Sequence, residues 1–81
     1  MIENINAKFS LGELVNHNLF GYRGVIFDLD HKFLGSLEWY EKVAKSKPPK
    51  DQPWYHVLVD GSDIQTYVAE RNLSIDKSKY P

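Results

Sequence analysis

Two runs rich in aromatic and β-branched residues, Trp54-Tyr55-His56-Val57-Leu58-Val59-Asp60 and Ile64-Gln65-Thr66-Tyr67-Val68-Ala69-Glu70, flank the short polar cluster Gly61-Ser62-Asp63. That pattern predicts a β-hairpin, and the hairpin forms the centre of the expected sheet. Side chains alternate along a strand, so Trp54, His56 and Leu58 share one face and Tyr55, Val57 and Val59 the other. The second set reads as core. The first leaves Trp54 and His56 as a partly exposed aromatic surface, joined by whichever of Tyr67 or Val68 faces them.

The remaining strands are shorter. Residues 1–8 are polar and without period, which reads as a loose arm. Phe9, Leu11 and Val15 have the spacing of a strand with Gly12 at a bend, although Leu14 breaks the alternation. Asn18-Leu19-Phe20-Gly21 is an expected turn, followed by a second strand through Asp30 in which Val25, Phe27 and Leu29 alternate with Ile26, Asp28 and Asp30. Glycines on either side of Tyr22-Arg23 suggest a tight entry and a close backbone approach. Residues 31–53 interrupt this rhythm as an insertion. Within it, 36–45 can form a short helix, with Ser36 as cap, Glu38 before Lys42, Glu41 before Lys45, and Pro48-Pro49 as the stop. So short a helix needs Leu37, Tyr40 and Ala44 to pack on the sheet. Arg71-Asn72 make a turn, Leu73-Ser74-Ile75 a last strand, and 76–81 a polar tail. The expected fold is mainly β: a small SH3-like barrel of about five antiparallel strands over 9–75, with one helix-bearing insertion.

An 81-residue chain makes one small domain, burying roughly 60% of its unfolded surface. It has no cysteine, which excludes disulfides and thiolate metal sites and fits a reducing compartment, so cytoplasm is the default. No apolar run approaches the ~20 residues a membrane span needs, and no membrane association is expected. The formal net charge of −1 argues against strong nonspecific attraction to phosphate backbones. Apolar surface left over on so small a body leaves self-association open, a matter for sedimentation.

No catalytic group stands out, and neither a cofactor nor a metal is expected. Asp28-Leu29-Asp30 at a strand end mimics the opening of a haloacid-dehalogenase loop. That chemistry requires a hydroxyl residue where Lys32 stands and a far longer α/β domain, so solvated acids are the better reading. His17, His31 and His56 lie on different elements with no nucleophile beside them. The serines lack an activating glycine elbow. Lys42, Lys45, Lys47 and Lys50 form the one basic run, beside Trp39, Tyr40, Trp54 and Tyr55, a combination suited to phosphate contact and base stacking. Glu38, Glu41 and Asp51 are interspersed with it, so a solvated loop serving solubility is the plainer reading.

Phe9-Ser10-Leu11-Gly12 with Val15 and His17, Gly21-Tyr22-Arg23-Gly24-Val25-Ile26 with Asp28 and Asp30, Pro53-Trp54-Tyr55-His56-Val57, and Thr66-Tyr67-Val68-Ala69-Glu70 with Asn72-Leu73 together resemble the HspQ family, also called YccV-like or hemimethylated-DNA-binding domains. The likeness runs in order over residues 9–73. It implies an SH3-like barrel and a stress-linked cytoplasmic protein without enzymatic activity. It also implies binding to hemimethylated DNA and an accessory role with the Lon protease in degrading selected proteins.

Two modes of action follow. In a protein-binding module, His17, Tyr22, Arg23, Trp54, Tyr55, His56 and Tyr67 supply the contacts to a protease or its substrate. In a DNA-binding module, Arg23 and the insertion lysines hold phosphates while an aromatic side chain reads the groove or a methylated base. Near-neutral charge favours the first, with or without a DNA role.

Overall fold

A computed structural model describes residues 7–44 and 46–78. Residues 1–6 of the expected arm, Lys45 of the basic run, and 79–81 of the expected tail lie outside the described residues. Five strands, β1 (Leu14–His17), β2 (Arg23–Asp30), β3 (Trp54–Val59), β4 (Gln65–Ala69) and β5 (Leu73–Ile75), form one antiparallel sheet in the order β4-β3-β2-β1-β5. A helix, α1 (Leu37–Val43), lies in the insertion, and a single 3-10 turn, Glu70–Asn72, joins β4 to β5.

That last connection dictates the shape. Laid flat, five strands would hold the outer two about 19 Å apart, yet four chain steps from Ala69 to Leu73 reach at most about 14 Å. The sheet therefore rolls until its two edges approach. It does not close as the expected barrel: no ladder joins β4 to β5 among the described residues. From the β1–β2 connection, the Tyr22 side chain reaches across to β4, with its hydroxyl 2.8 Å from Thr66 Oγ1.

Inside the roll lie Phe9, Val15, Ile26, Tyr55, Val57, Val68 and Leu73, with Tyr22 and Leu29 against them. Strand β2 reaches this core only by a change of phase, because a bulge between Ile26 and Asp28 shifts its register against β3. Ile26 faces the core before the bulge and Leu29 after it, while Phe27 is left exposed. A bulge inserts one residue and reverses the alternation beyond it, so the unbroken alternation expected from Val25 to Asp30 fails at that point.

The expected first strand is also shorter. Gly12 adopts φ +84°, and Glu13 donates to the Ser10 carbonyl at 3.1 Å, so 10–13 is a turn and pairing begins at Leu14, the residue that broke the alternation. Phe9 still enters the core, and its amide donates to the Tyr55 hydroxyl at 3.3 Å. Tyr55 in turn donates to the buried Glu70 carboxylate at 2.6 Å, which also accepts the Lys8 amide at 2.9 Å. Burial and this carboxylate raise the Tyr55 hydroxyl well above its ordinary pKa, so it stays a donor.

Helix α1 has the cap expected, Ser36 Oγ accepting from the Trp39 amide at 3.0 Å. Its packing differs from expectation. Tyr40 and Ala44 are buried, but Leu37 is exposed, and Trp39 together with Phe33 turns toward the sheet instead. The helix stops at Val43, and the chain continues to Pro48 and Pro49, whose carbonyls accept from the Tyr40 hydroxyl at 2.6 Å and the Trp54 indole at 3.0 Å.

Candidate recognition groove

The docked insertion changes what the hairpin presents. Trp54, expected as an exposed handle, is 1% exposed. Its face of β3 is the one expected, since Trp54, His56 and Tyr67 share it across the β3–β4 register. The insertion folds back over that face, however, and packs Phe33 and Tyr40 on the indole at centroid distances of 4.8 and 6.3 Å. Alternation along a strand separates two faces without saying that either meets solvent.

What remains open is a groove of about 470 Å³ along β4. His17 and Tyr22 line it beside Thr66 and Val68, and Trp39 and Val43 of α1 line it beside Tyr67. Of the seven partner-binding candidates, the structure brings His17, Tyr22, Trp54, His56 and Tyr67 to this groove and leaves two elsewhere. Tyr55 is wholly buried in the core. Arg23 is engaged by Asp60 at 3.2 Å and Asp76 at 3.1 Å, on the far side of β2.

That second cluster ties down the chain after β5. Asp76 accepts from Asn16 at 3.1 Å, and its amide donates to the Leu14 carbonyl at 3.0 Å. Desolvation works to raise its carboxyl, but the Ser78 amide and hydroxyl, Asn16 and Arg23 outweigh it and hold the pKa below the ordinary value.

Asp30, expected to be a solvated acid, stands beneath the groove as a shared acceptor. The Tyr67 hydroxyl donates to it at 2.6 Å, and His56 Nε2 lies 3.2 Å from the same oxygen. Desolvation first, and the bond to Asp30 second, push the Tyr67 hydroxyl above its ordinary pKa. Tyr67 also accepts the Leu34 amide at 3.1 Å, which fixes the start of the insertion to β4. The acid, imidazole and phenol thus hold one another in place.

At the other end, His17 Nδ1 accepts two amides, those of Leu19 and Phe20, each at 3.1 Å, and the Phe20 ring stacks on the imidazole at 4.6 Å. Gly21 at φ +77° completes the turn. Leu19 and Phe20 nevertheless point outward, with Phe20 74% exposed, and sequence reasoning passed over them as turn residues. Two large apolar residues in a turn before a glycine were the signal available. Val43 and Asn72 also line the groove without a signal in the sequence, whereas Trp39 stands out there only as a neighbour of the basic run.

Desolvation lowers the His17 pKa from 6.5. The folded state therefore prefers the neutral ring, and its contribution is fully present above about pH 6.5 and declines as pH falls below that, toward the lowered folded-state value. Thermal melts from pH 7.5 to 5.0 should show a fall in midpoint that is smaller in His17→Gln; an identical pH dependence in the two proteins would remove this role.

The basic run is only partly free of compensation. Lys47 pairs with Glu41 at 2.7 Å and Lys42 with Glu38 at 3.8 Å, and Lys50 lies 4.3 Å from the Tyr40 ring centroid. The Lys47 interaction lowers the Glu41 pKa. The expected Glu41–Lys45 pair lies outside the described residues.

A family model described as hemimethylated DNA-binding protein YccV-like matches residues 7–81. The chain belongs to the YccV-like family. The match takes in the whole of the residues 9–73 that carried the resemblance, together with the segment clamped by Asp76. Among the described residues of this YccV-like chain, the sheet leaves a groove at the β4 edge, and Lys42 and Lys47 are exposed on and after α1.

Proposed function

We propose that this YccV-like chain works without catalysis, as a recognition module that binds DNA at hemimethylated sites in the cytoplasm. The observation that carries this reading is the family match over residues 7–81. The exposed lysines support it. Ion pairs of such exposure contribute about 0–1 kcal/mol, so Lys42 and Lys47 can exchange Glu38 and Glu41 for phosphate oxygens at little cost, and Lys50 stands next to them. Arg23 is not assigned to phosphate contact, because its two carboxylate partners already hold it against the sheet.

With about three phosphate contacts, the logarithm of the association constant should fall with the logarithm of salt at a slope near −3. Titrations of hemimethylated, fully methylated and unmethylated duplexes between 50 and 300 mM salt, roughly the range over which counterion release dominates, provide the check. A hemimethylated preference that survives at the upper end is the expected result. Equal and weak affinity for all three duplexes would discard specific DNA recognition.

A second reading has its own observation. Among the described residues, no Asp, Glu, Lys or Arg side chain lines the groove, and apolar side chains stand on both of its flanks. Such a surface suits a protein partner better than a phosphate backbone. It supports the family-implied role as a stress-linked accessory to a Lon-type protease.

A further inference from the structure

We infer that the groove along β4 captures an extended, uncharged segment of a partner polypeptide by adding it to the sheet as a sixth strand. This deepens the protein-binding reading and rests on it; the DNA reading does not depend on it. The first observation is in the backbone. Strand β4 is an edge, and its ladder to β3 is phased by Val59 donating to the Ile64 carbonyl at 2.9 Å and Glu70 donating to the Pro53 carbonyl at 3.0 Å. Hydrogen-bonded pairs alternate along an antiparallel ladder. Thr66 and Val68 therefore turn their amides and carbonyls to β3, and Gln65, Tyr67 and Ala69 turn theirs outward. Among the described residues no hydrogen bond is seen to the outward groups of Gln65 and Tyr67, while the Ala69 carbonyl caps the 3-10 turn that follows. An unpaired edge of this kind is a template for another strand.

The second observation is what stands on either side of that edge. Leu19 and Phe20 of the β1–β2 turn form one flank and Val43 of α1 the other, all exposed and all lining the groove. Phe20 is held against His17, so this flank is set in place before a ligand arrives. A strand laid on β4 would direct alternate side chains to the two flanks.

The third observation is charge. The described lining holds no Asp, Glu, Lys or Arg side chain, only the imidazoles of His17 and His56, whereas each nucleotide of a bound strand would bring a negative charge. A neutral apolar segment is the occupant that leaves no charge unpaired.

The test uses the full chain and fluorescein-labelled nonapeptides with Val or Ile at alternate positions and Ser or Thr between, against scrambled peptides of the same composition. Gln65→Pro removes an outward amide without removing a ladder bond, and Phe20→Ser removes one flank at an exposed position. Each substitution should weaken binding of the alternating peptides at least tenfold while leaving the thermal midpoint unchanged. N-methylation of the peptide amides should abolish binding at alternate positions only. Binding that is equal in the wild type and both variants would overturn the inference while leaving the protein-binding reading in place. Failure of every peptide, together with failure to stimulate a Lon-type protease on an unfolded substrate, would remove both. A dimer in sedimentation that Gln65→Pro dissolves would assign the edge to a second copy and overturn the peptide assignment, as would loss of duplex binding in the same variants.

Discussion

Trp54→Ala is expected to unfold the domain in large part rather than to weaken a binding surface. The indole is enclosed by Phe33, Tyr67, Trp39 and Tyr40 at centroid distances of 4.8, 5.2, 6.1 and 6.3 Å, and its N–H donates to the Pro49 carbonyl. Truncating a buried Trp costs about 3–5 kcal/mol. A chain of 81 residues has roughly 4–12 kcal/mol in total. The midpoint of thermal unfolding should fall by about 20 °C, read by circular dichroism. A protein that melts within a few degrees of the wild type would show that the second aromatic cluster is not a core. The same substitution is for this reason a poor probe of partner binding, and Phe20→Ser at the groove rim is the informative one.

Gly24→Ala is expected to have the next largest effect. A Cβ at this position would lie 2.5 Å from Val57 Cγ1 and 2.7 Å from the Leu58 carbonyl oxygen. One obstacle is a fully buried side chain and the other is backbone, in the central β2–β3 pairing, so neither withdraws freely. Overpacking of this kind costs about 1–3 kcal/mol, which lowers the melting midpoint by roughly 5–15 °C. The double variant Gly24→Ala with Val57→Ala should fall short of the sum of the two single losses, since removing Cγ1 relieves one of the two contacts. Strict additivity in denaturant melts would mean that the strands separate rather than that the side chains collide.

The contrast between these positions shows how much was legible. Gly24 reads as a close approach from its place beside Tyr22-Arg23, and the structure supplies the neighbour. The hairpin of β3 and β4, the final strand at Leu73 and the Ser36 cap are all local patterns, and they appear where the pattern puts them. The bulge in β2 is not local in this sense. Whether Phe27 or Leu29 joins Ile26 in the core depends on which residue β3 leaves unpaired, and that is settled by contact with another strand.

The site divides in the same way. Which face of β3 carries Trp54 and His56 follows from alternation alone, and Tyr67 joins them by the register of a short hairpin. Whether that face is open is decided by residues 31–53, whose aromatic side chains cover Trp54 and reach the Tyr67 ring, with Phe33 and Trp39 at centroid distances of 5.9 and 5.8 Å. Asp30 is a solvated strand-end acid by its neighbours in sequence, and a bonded partner of Tyr67 and His56 by its neighbours in space. Sequence by itself determined the β3–β4 hairpin, the last strand, the family and the near-neutral charge, because hydrophobic period, turn chemistry and composition act over a few residues. Only the tertiary structure decided which rings are hidden, which edge is left unpaired and which cations are spoken for, because burial and pairing depend on elements tens of residues apart in the chain meeting as the sheet rolls.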